Sequence, residues 1–176
     1  MEKKPYKKNK TVKPKINDQK KVIKKKKTTK AKYKWTAEQK SSINKFVYET
    51  QALVKLQDWK IKVVWDADCD EFDDAYATNT PIGDSRHCEI RFSRRFLELD
   101  NYEMTQAVVH ELMHCYLFAV EDYTEDMFEL ATDKKTFELF NIGHSKLIET
   151  AIDGIADGIA KNIPGYVLPN REKLLK

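Results

Sequence analysis

The sequence predicts an α+β domain, a small and mainly antiparallel sheet of about three strands packed on helices, preceded by a disordered basic arm. Three observations lead there. Two helix starts carry a capping box, Thr36 with Gln39 and Asp100 with Glu103, in which the cap and third-position side chains satisfy each other's orphan amides. Between them lie short stretches with the two-residue alternation of strands. The chain also changes character near residue 35. Residues 1–34 hold 16 lysines against Glu2 and Asp18, a balance of +14, whereas the remainder carries −10.

The arm, residues 1–34, has too few apolar side chains to offset the entropy of ordering, so it is expected to be disordered. Its charge suits a polyanion such as nucleic acid. Tyr6 and Tyr33 are its only aromatic groups, too few for base-specific stacking. The rest, residues 35–176, reads as one domain. No apolar run reaches 18 residues, so no membrane span is expected. The lysine-rich start lacks the apolar stretch of a secretory signal, which predicts a cytoplasmic rather than secreted protein. Three cysteines, Cys69, Cys88 and Cys115, read as free thiols of a reducing compartment.

After Thr36, the apolar residues Ile43, Phe46, Val47, Leu53 and Val54 recur at helical spacing, and the helix is expected to end near Asp58. "WKIKVVWD", residues 59–66, alternates as a strand. The acidic "DADCDEFDD" that overlaps its end fails the calcium-loop pattern. Counting from Asp66, position six is Glu71 rather than Gly and position twelve is Ala77 rather than Glu, so it reads as a solvated loop. "AYATNT" and "HCEIRF", joined by "PIGDSR", predict an antiparallel hairpin with Pro81 and Gly83 in the turn. A helix is expected from Asp100 to about Val120, one or two short helices over residues 123–142, and a last helix in "HSKLIETAIDGIADGIAKNI", ended by Pro164-Gly165. In that helix Ala151, Gly154 and Gly158 form a small-residue stripe suited to close helix approach.

The central helix contains His110-Glu111-Leu112-Met113-His114 inside an apolar run, Ala107 to Phe118. Such a helix is buried, and buried His and Glu need partners. The two histidines lie about 40° apart on one face, with Glu111 about 60° from His114. Two imidazoles one turn apart can bind one cation, and the adjacent carboxylate can reach a water there without being a ligand. This is the H-E-x-x-H pattern of zinc hydrolases, most often metallopeptidases, with Zn2+ as cofactor.

A catalytic zinc needs a third protein ligand. Val120 and Leu117 stand where the metzincin extension needs His and Gly. His144, Glu149, Asp153 and Asp157 remain as candidates. Glu149 and Asp153, four residues apart, share a helix face. One could ligate while the other accepts the free N–H of a ligand histidine. Glu149 is the expected ligand, Asp153 the carboxylate behind the histidine, and His144 the rival ligand or an oxyanion stabiliser.

H-E-x-x-H followed by E-x-x-x-D on a later helix resembles the gluzincin arrangement of thermolysin-type peptidases. Residues 36–163 resemble compact metallopeptidases encoded by bacteriophages and their hosts. The resemblance implies a zincin-like fold, a bacterial host cell as location, and peptide-bond hydrolysis of a protein or peptide substrate. It implies His110, His114 and Glu149 as zinc ligands, Glu111 as general base and Asp153 as histidine partner. It also implies an extended substrate along an edge strand, for which the hairpin, residues 75–92, is the candidate. His144, His87, Tyr116 and Tyr123 are candidate oxyanion donors. The lysine arm, the acidic loop and the 34 residues between His114 and Glu149 depart from the thermolysin pattern. Two alternatives stay open: a SprT-like DNA-associated protease, with His144 as ligand and the arm on DNA, and a non-catalytic, zinc-stabilised interaction or virion protein.

The arm generates a first prediction. Deleting residues 1–34 should leave the thermal midpoint nearly unchanged, while polyanion binding is lost. Binding by the intact chain should weaken steeply with salt, because released counterions drive it. A truncated protein that still binds DNA as well as the full chain would remove the arm from that role.

Overall fold

The computed structural model describes residues 34–65, 75–82 and 86–170. The arm up to residue 33, the acidic stretch 66–74 with Cys69, and turn residues 83–85 lie outside them. Among the described residues the fold is α+β, with three long helices and one three-stranded sheet. No helix among them is long and apolar enough to cross a membrane.

Helix α1 (Ala37–Leu53) starts at the expected box, with Thr36 accepting from the Gln39 amide and Gln39 accepting from the Thr36 amide. It buries Ile43 and Val47 completely. It ends five residues before the expected Asp58, for a local reason. Lys55 takes a left-handed φ of 61°, and the buried Gln51 Nε2 donates to the carbonyls of Leu56 and Trp59, both at 2.8 Å. The side chain thus satisfies a tight turn that the helix would otherwise have continued through.

Strands β1 (Lys60–Trp65), β2 (Ala77–Pro81) and β3 (His87–Phe92) fall where alternation placed them. Their order is β1-β3-β2. The expected hairpin is present, with β2 antiparallel to β3 from Ala77↔Phe92 to Pro81↔Cys88. Strand β1, however, runs parallel to β3, from Lys60↔His87 to Trp65↔Phe92. The sheet is therefore mixed rather than mainly antiparallel. The strand with the deepest burial, β3, takes the centre with Cys88, Ile90 and Phe92 inside. The lysine-bearing β1 and the proline-bearing β2 take the edges, where such residues are tolerated. Lys62 meets its register partner Glu89 at 2.7 Å.

A short 3-10 turn, Arg94–Glu98, inserts Phe96 and Leu97 into the core and leads to α2 (Asn101–Ala131). The Asp100/Glu103 box is formed as expected, both bonds at 2.8 Å. Instead of stopping near Val120, α2 continues for about three more turns, to Ala131. The polar stretch 123–142 is the tip of a helical hairpin, closed by Thr132-Asp133, and α3 spans Lys134–Ala160. Phe128 and Phe140 stack at 3.6 Å between the two helices, which explains why this stretch stays helical despite its acidic faces.

The contact of α3 with the core runs through Ile152, Ala156 and Ala160, all buried. The small-residue stripe does not mediate it. Ala151, Gly154 and Gly158 are exposed, and a Cβ at either glycine would meet nothing within 4 Å. Segment 161–170 then wraps back over the core. The Tyr166 amide donates to Thr105 Oγ1 at 2.8 Å, and Tyr166 and Leu168 are buried.

Ile152 is fully buried and Ile155 is 44% exposed. Ile152→Ala should cost about 2–5 kcal/mol of stability in urea melts, and Ile155→Ala less than about 0.5 kcal/mol. Equal costs would contradict this docking of α3.

Candidate metal centre

His110, Glu111 and His114 lie in the first half of α2, among Val108, Val109, Leu112, Met113 and Cys115, all buried. Helical spacing aims both imidazoles away from the sheet core and towards α3. Glu111 remains inside, at 6% exposure. The anchoring of α3 by Ile152 brings Glu149 and Asp153 to the same place from the other side.

His110 Nε2 is 3.2 Å from Glu149 Oε2 and 3.3 Å from His114 Nε2, and His114 Nε2 is 3.6 Å from Glu149 Oε1. One atom from each of the three residues lies within 4.8 Å of the others. Tetrahedral zinc ligands at about 2.0–2.2 Å from their ion are themselves about 3.3–3.6 Å apart. Two imidazoles and a carboxylate are donors that zinc accepts, and their closest approaches fall near that spacing, with His110 and His114 each meeting a different oxygen of Glu149. Among the described residues no other trio of His, Cys, Asp or Glu is grouped this way.

Asp153 Oδ1 lies 2.9 Å from His110 Nδ1. Asp153 is thus placed to accept a proton from Nδ1, and a ring protonated there carries its lone pair on Nε2, the nitrogen nearest Glu149. Burial pulls the His114 imidazole below its ordinary value, with the charge of Glu149 opposing that shift. A neutral ring is the form that can ligate.

Glu111 lies beside the trio without joining it. Burial first, then the charges of Glu149 and Cys115, push its carboxyl up to about 8. Strand β2 approaches from across a cleft of about 620 Å3 whose lining includes Tyr76, Thr78 and Asn79 of the sheet side, Glu103 and Gln106 of α2, and His110, Glu111, His114, Glu149 and Asp153. No Lys or Arg is among its lining residues. Asn79 ties the strand to the helix, with Nδ2 donating to the Glu111 carbonyl at 2.6 Å and reaching Cys115 Sγ at 3.3 Å. Cys88 and Cys115 are free, with sulfurs 3.5 Å apart. The hydrogen bond with Cys115, together with burial, holds the Cys88 thiol far above its ordinary value, so it is an inert neighbour.

The other sequence candidates lie elsewhere. His144 is not in the trio; it stacks on Phe140 at 5.0 Å. Asp157 pairs with Tyr102 and Lys161. Tyr116 donates to the Val54 carbonyl, and Tyr123 is 66% exposed. Neither these tyrosines nor His87 nor His144 lines the cleft. Three contributors were not anticipated. Tyr76, just before β2, and Asn79 within it belong to a stretch, "AYATNT", that carries no chemical signal until the fold sets it across from the helix. Glu121, 4.0 Å from His114 Nδ1, was hidden within an acidic run, although it lies seven residues after His114 and so on the same helix face.

The raised carboxyl of Glu111 has a measurable consequence in metal-free protein. Its folded value, about 8, exceeds the ordinary 4.5. Below about 4.5 the group is protonated in both states and has no effect. As pH rises towards 8 the unfolded chain ionises first, so the folded state loses stability, and the loss is complete above about 8. In chelator-treated protein, Glu111→Gln should therefore gain stability over wild type between pH 5 and pH 8, by on the order of a few kcal/mol. A pH-independent difference would contradict this burial.

Comparison with known proteins returns no matching family model, no matching curated protein and no matching solved structure, so the functional reading rests on the site alone.

Proposed function

We propose that this chain is a zinc-dependent, zincin-like peptidase, with His110, His114 and Glu149 holding the metal and Glu111 serving as general base. The observation that carries the proposal is the position of Glu111. It is a buried carboxylate of raised pKa, beside a two-histidine, one-glutamate cluster, at the floor of an open cleft. A purely structural metal site has no use for an ionisable base next to it.

Zinc bound there would supply Lewis acidity, lowering the pKa of water and polarising a carbonyl. The chain's own residues supply the rest. Glu111 accepts a proton from the attacking water and returns it to the departing amine. Asp153 keeps the His110 proton on Nδ1. Asn79 holds β2 against the HExxH turn. As the outer strand of the sheet, β2 has an edge that an extended peptide can pair with, which places the peptide's backbone along the cleft. This is the edge expected of hairpin 75–92.

The SprT-like alternative calls for a histidine as third ligand. Glu149 rather than His144 is within reach of the histidine pair, which favours the gluzincin reading.

The test separates binding from turnover. Wild type should copurify with, or take up, one zinc per chain, and His110→Ala should lose it. Glu111→Gln should keep zinc and lose hydrolysis in proteome-wide cleavage profiling, since the amide cannot accept a proton. Loss of zinc together with activity in Glu111→Gln would assign Glu111 a structural role instead. A wild-type protein that takes up no zinc would overturn the proposal.

A further inference from the structure

Each histidine of the pair must be neutral and must present Nε2 to the shared point, which leaves a proton on Nδ1. For His110 that proton has an acceptor, Asp153 at 2.9 Å. His114 borders a second, small cavity of about 80 Å3 between α2 and α3, lined also by Glu121, Glu125, His144 and Ser145, and the corresponding nitrogen of its ring is Nδ1. The carboxylate oxygen nearest to it is Glu121 Oε1, at 4.0 Å. That oxygen is sealed from solvent and has no hydrogen-bond partner. A buried acceptor without a donor thus lies near the Nδ1 nitrogen of His114. Both sit on one helix, seven residues and about 20° apart.

We propose that Glu121 is the positioning residue of His114, as Asp153 is of His110. The inference rests on the metal-site reading given above, and it adds a residue and a role. The separation exceeds a hydrogen bond by about 1 Å, and the adjoining cavity gives the Glu121 side chain room to close it. Glu125, His144 and Glu149 are the other ionisable groups that line that cavity with His114 and Glu121. The two carboxylates reach the metal pair from different helices, Asp153 from α3 and Glu121 from α2 itself. Glu121 therefore orients its histidine whatever the packing of the two helices against each other.

The test uses the full chain and two readouts. In metal-free protein, long-range 1H–15N spectra of the imidazoles report which nitrogen carries the proton. Wild type should have His114 protonated on Nδ1, and Glu121→Ala should shift it towards the Nε2-protonated form while leaving His110 unchanged. In chelator competition, Glu121→Ala should weaken zinc binding about 10–100-fold, and Glu121→Gln, whose amide oxygen still accepts, should recover most of it. A His114 tautomer and a zinc affinity both unaltered in Glu121→Ala overturn the inference. So does equal loss in Glu121→Ala and Glu121→Gln with a lowered thermal midpoint, which would mark a packing role. If wild type binds no zinc, the metal-site reading fails, and the tautomer measurement still decides whether Glu121 holds His114.

Discussion

Burying a carboxylate in an apolar helix costs several kcal/mol unless something compensates it, and Glu111, at 6% exposure, is such a carboxylate. Among the described residues, no Lys or Arg lines the cleft that α2 and α3 build around it. It has two imidazoles and a second carboxylate, spaced as metal ligands are. A divalent cation at that point is the partner that would favour the ionised form of Glu111 and relieve the crowding of Glu149 against it. The rest of the fold serves that arrangement. Ile152 locks α3, so Glu149 and Asp153 arrive at fixed places. Asn79 pins the edge strand at the carbonyl of Glu111 itself.

The site is layered, and each layer is made by a different kind of force. Apolar packing of α2 positions the histidines. Hydrogen bonding to the Asp153 carboxylate orients one ring. The capping box at Asp100/Glu103 fixes where α2 begins, and so sets the helical phase in which His110 and His114 meet α3. The cysteine pair and Asn79 fill the space between sheet and helix, and Asn79 also lines the cleft beside Glu111. The cleft is thereby bounded by rigid elements, as a preorganised site requires.

Much of this was legible in the sequence because the signals are local. Both capping boxes and all three strands are set by neighbours within a few residues. The HExxH trio and the E-x-x-x-D pair depend only on helical spacing, and Asp153 meets His110 as that spacing implied. What was not legible depends on contacts made at a distance. Nothing in "WKIKVVWD" states that it will lie parallel to "HCEIRF", because alternation fixes faces and not direction. The end of α1 was set by the Gln51 side chain. The polar tip of the α2–α3 hairpin resembled loop, since the Phe128–Phe140 stack that holds it joins residues twelve apart. The small-residue stripe suggested a helix contact, but Ile152 and Ala156, on another face of α3, make it. Glu121 was lost in a run of acids for the same reason: only the fold shows which of them turns inward.

The central claim is that one cation sits between His110, His114 and Glu149. X-ray absorption spectroscopy of the zinc-loaded chain tests it most directly. The account predicts a first shell of nitrogen and oxygen at about 2.0–2.2 Å, with multiple scattering from two imidazoles and no sulfur contribution near about 2.3 Å. It also predicts that Glu149→Ala alters this shell while leaving the two-imidazole signature. A shell with three imidazoles or with cysteine sulfur, or one indifferent to Glu149→Ala, would contradict it.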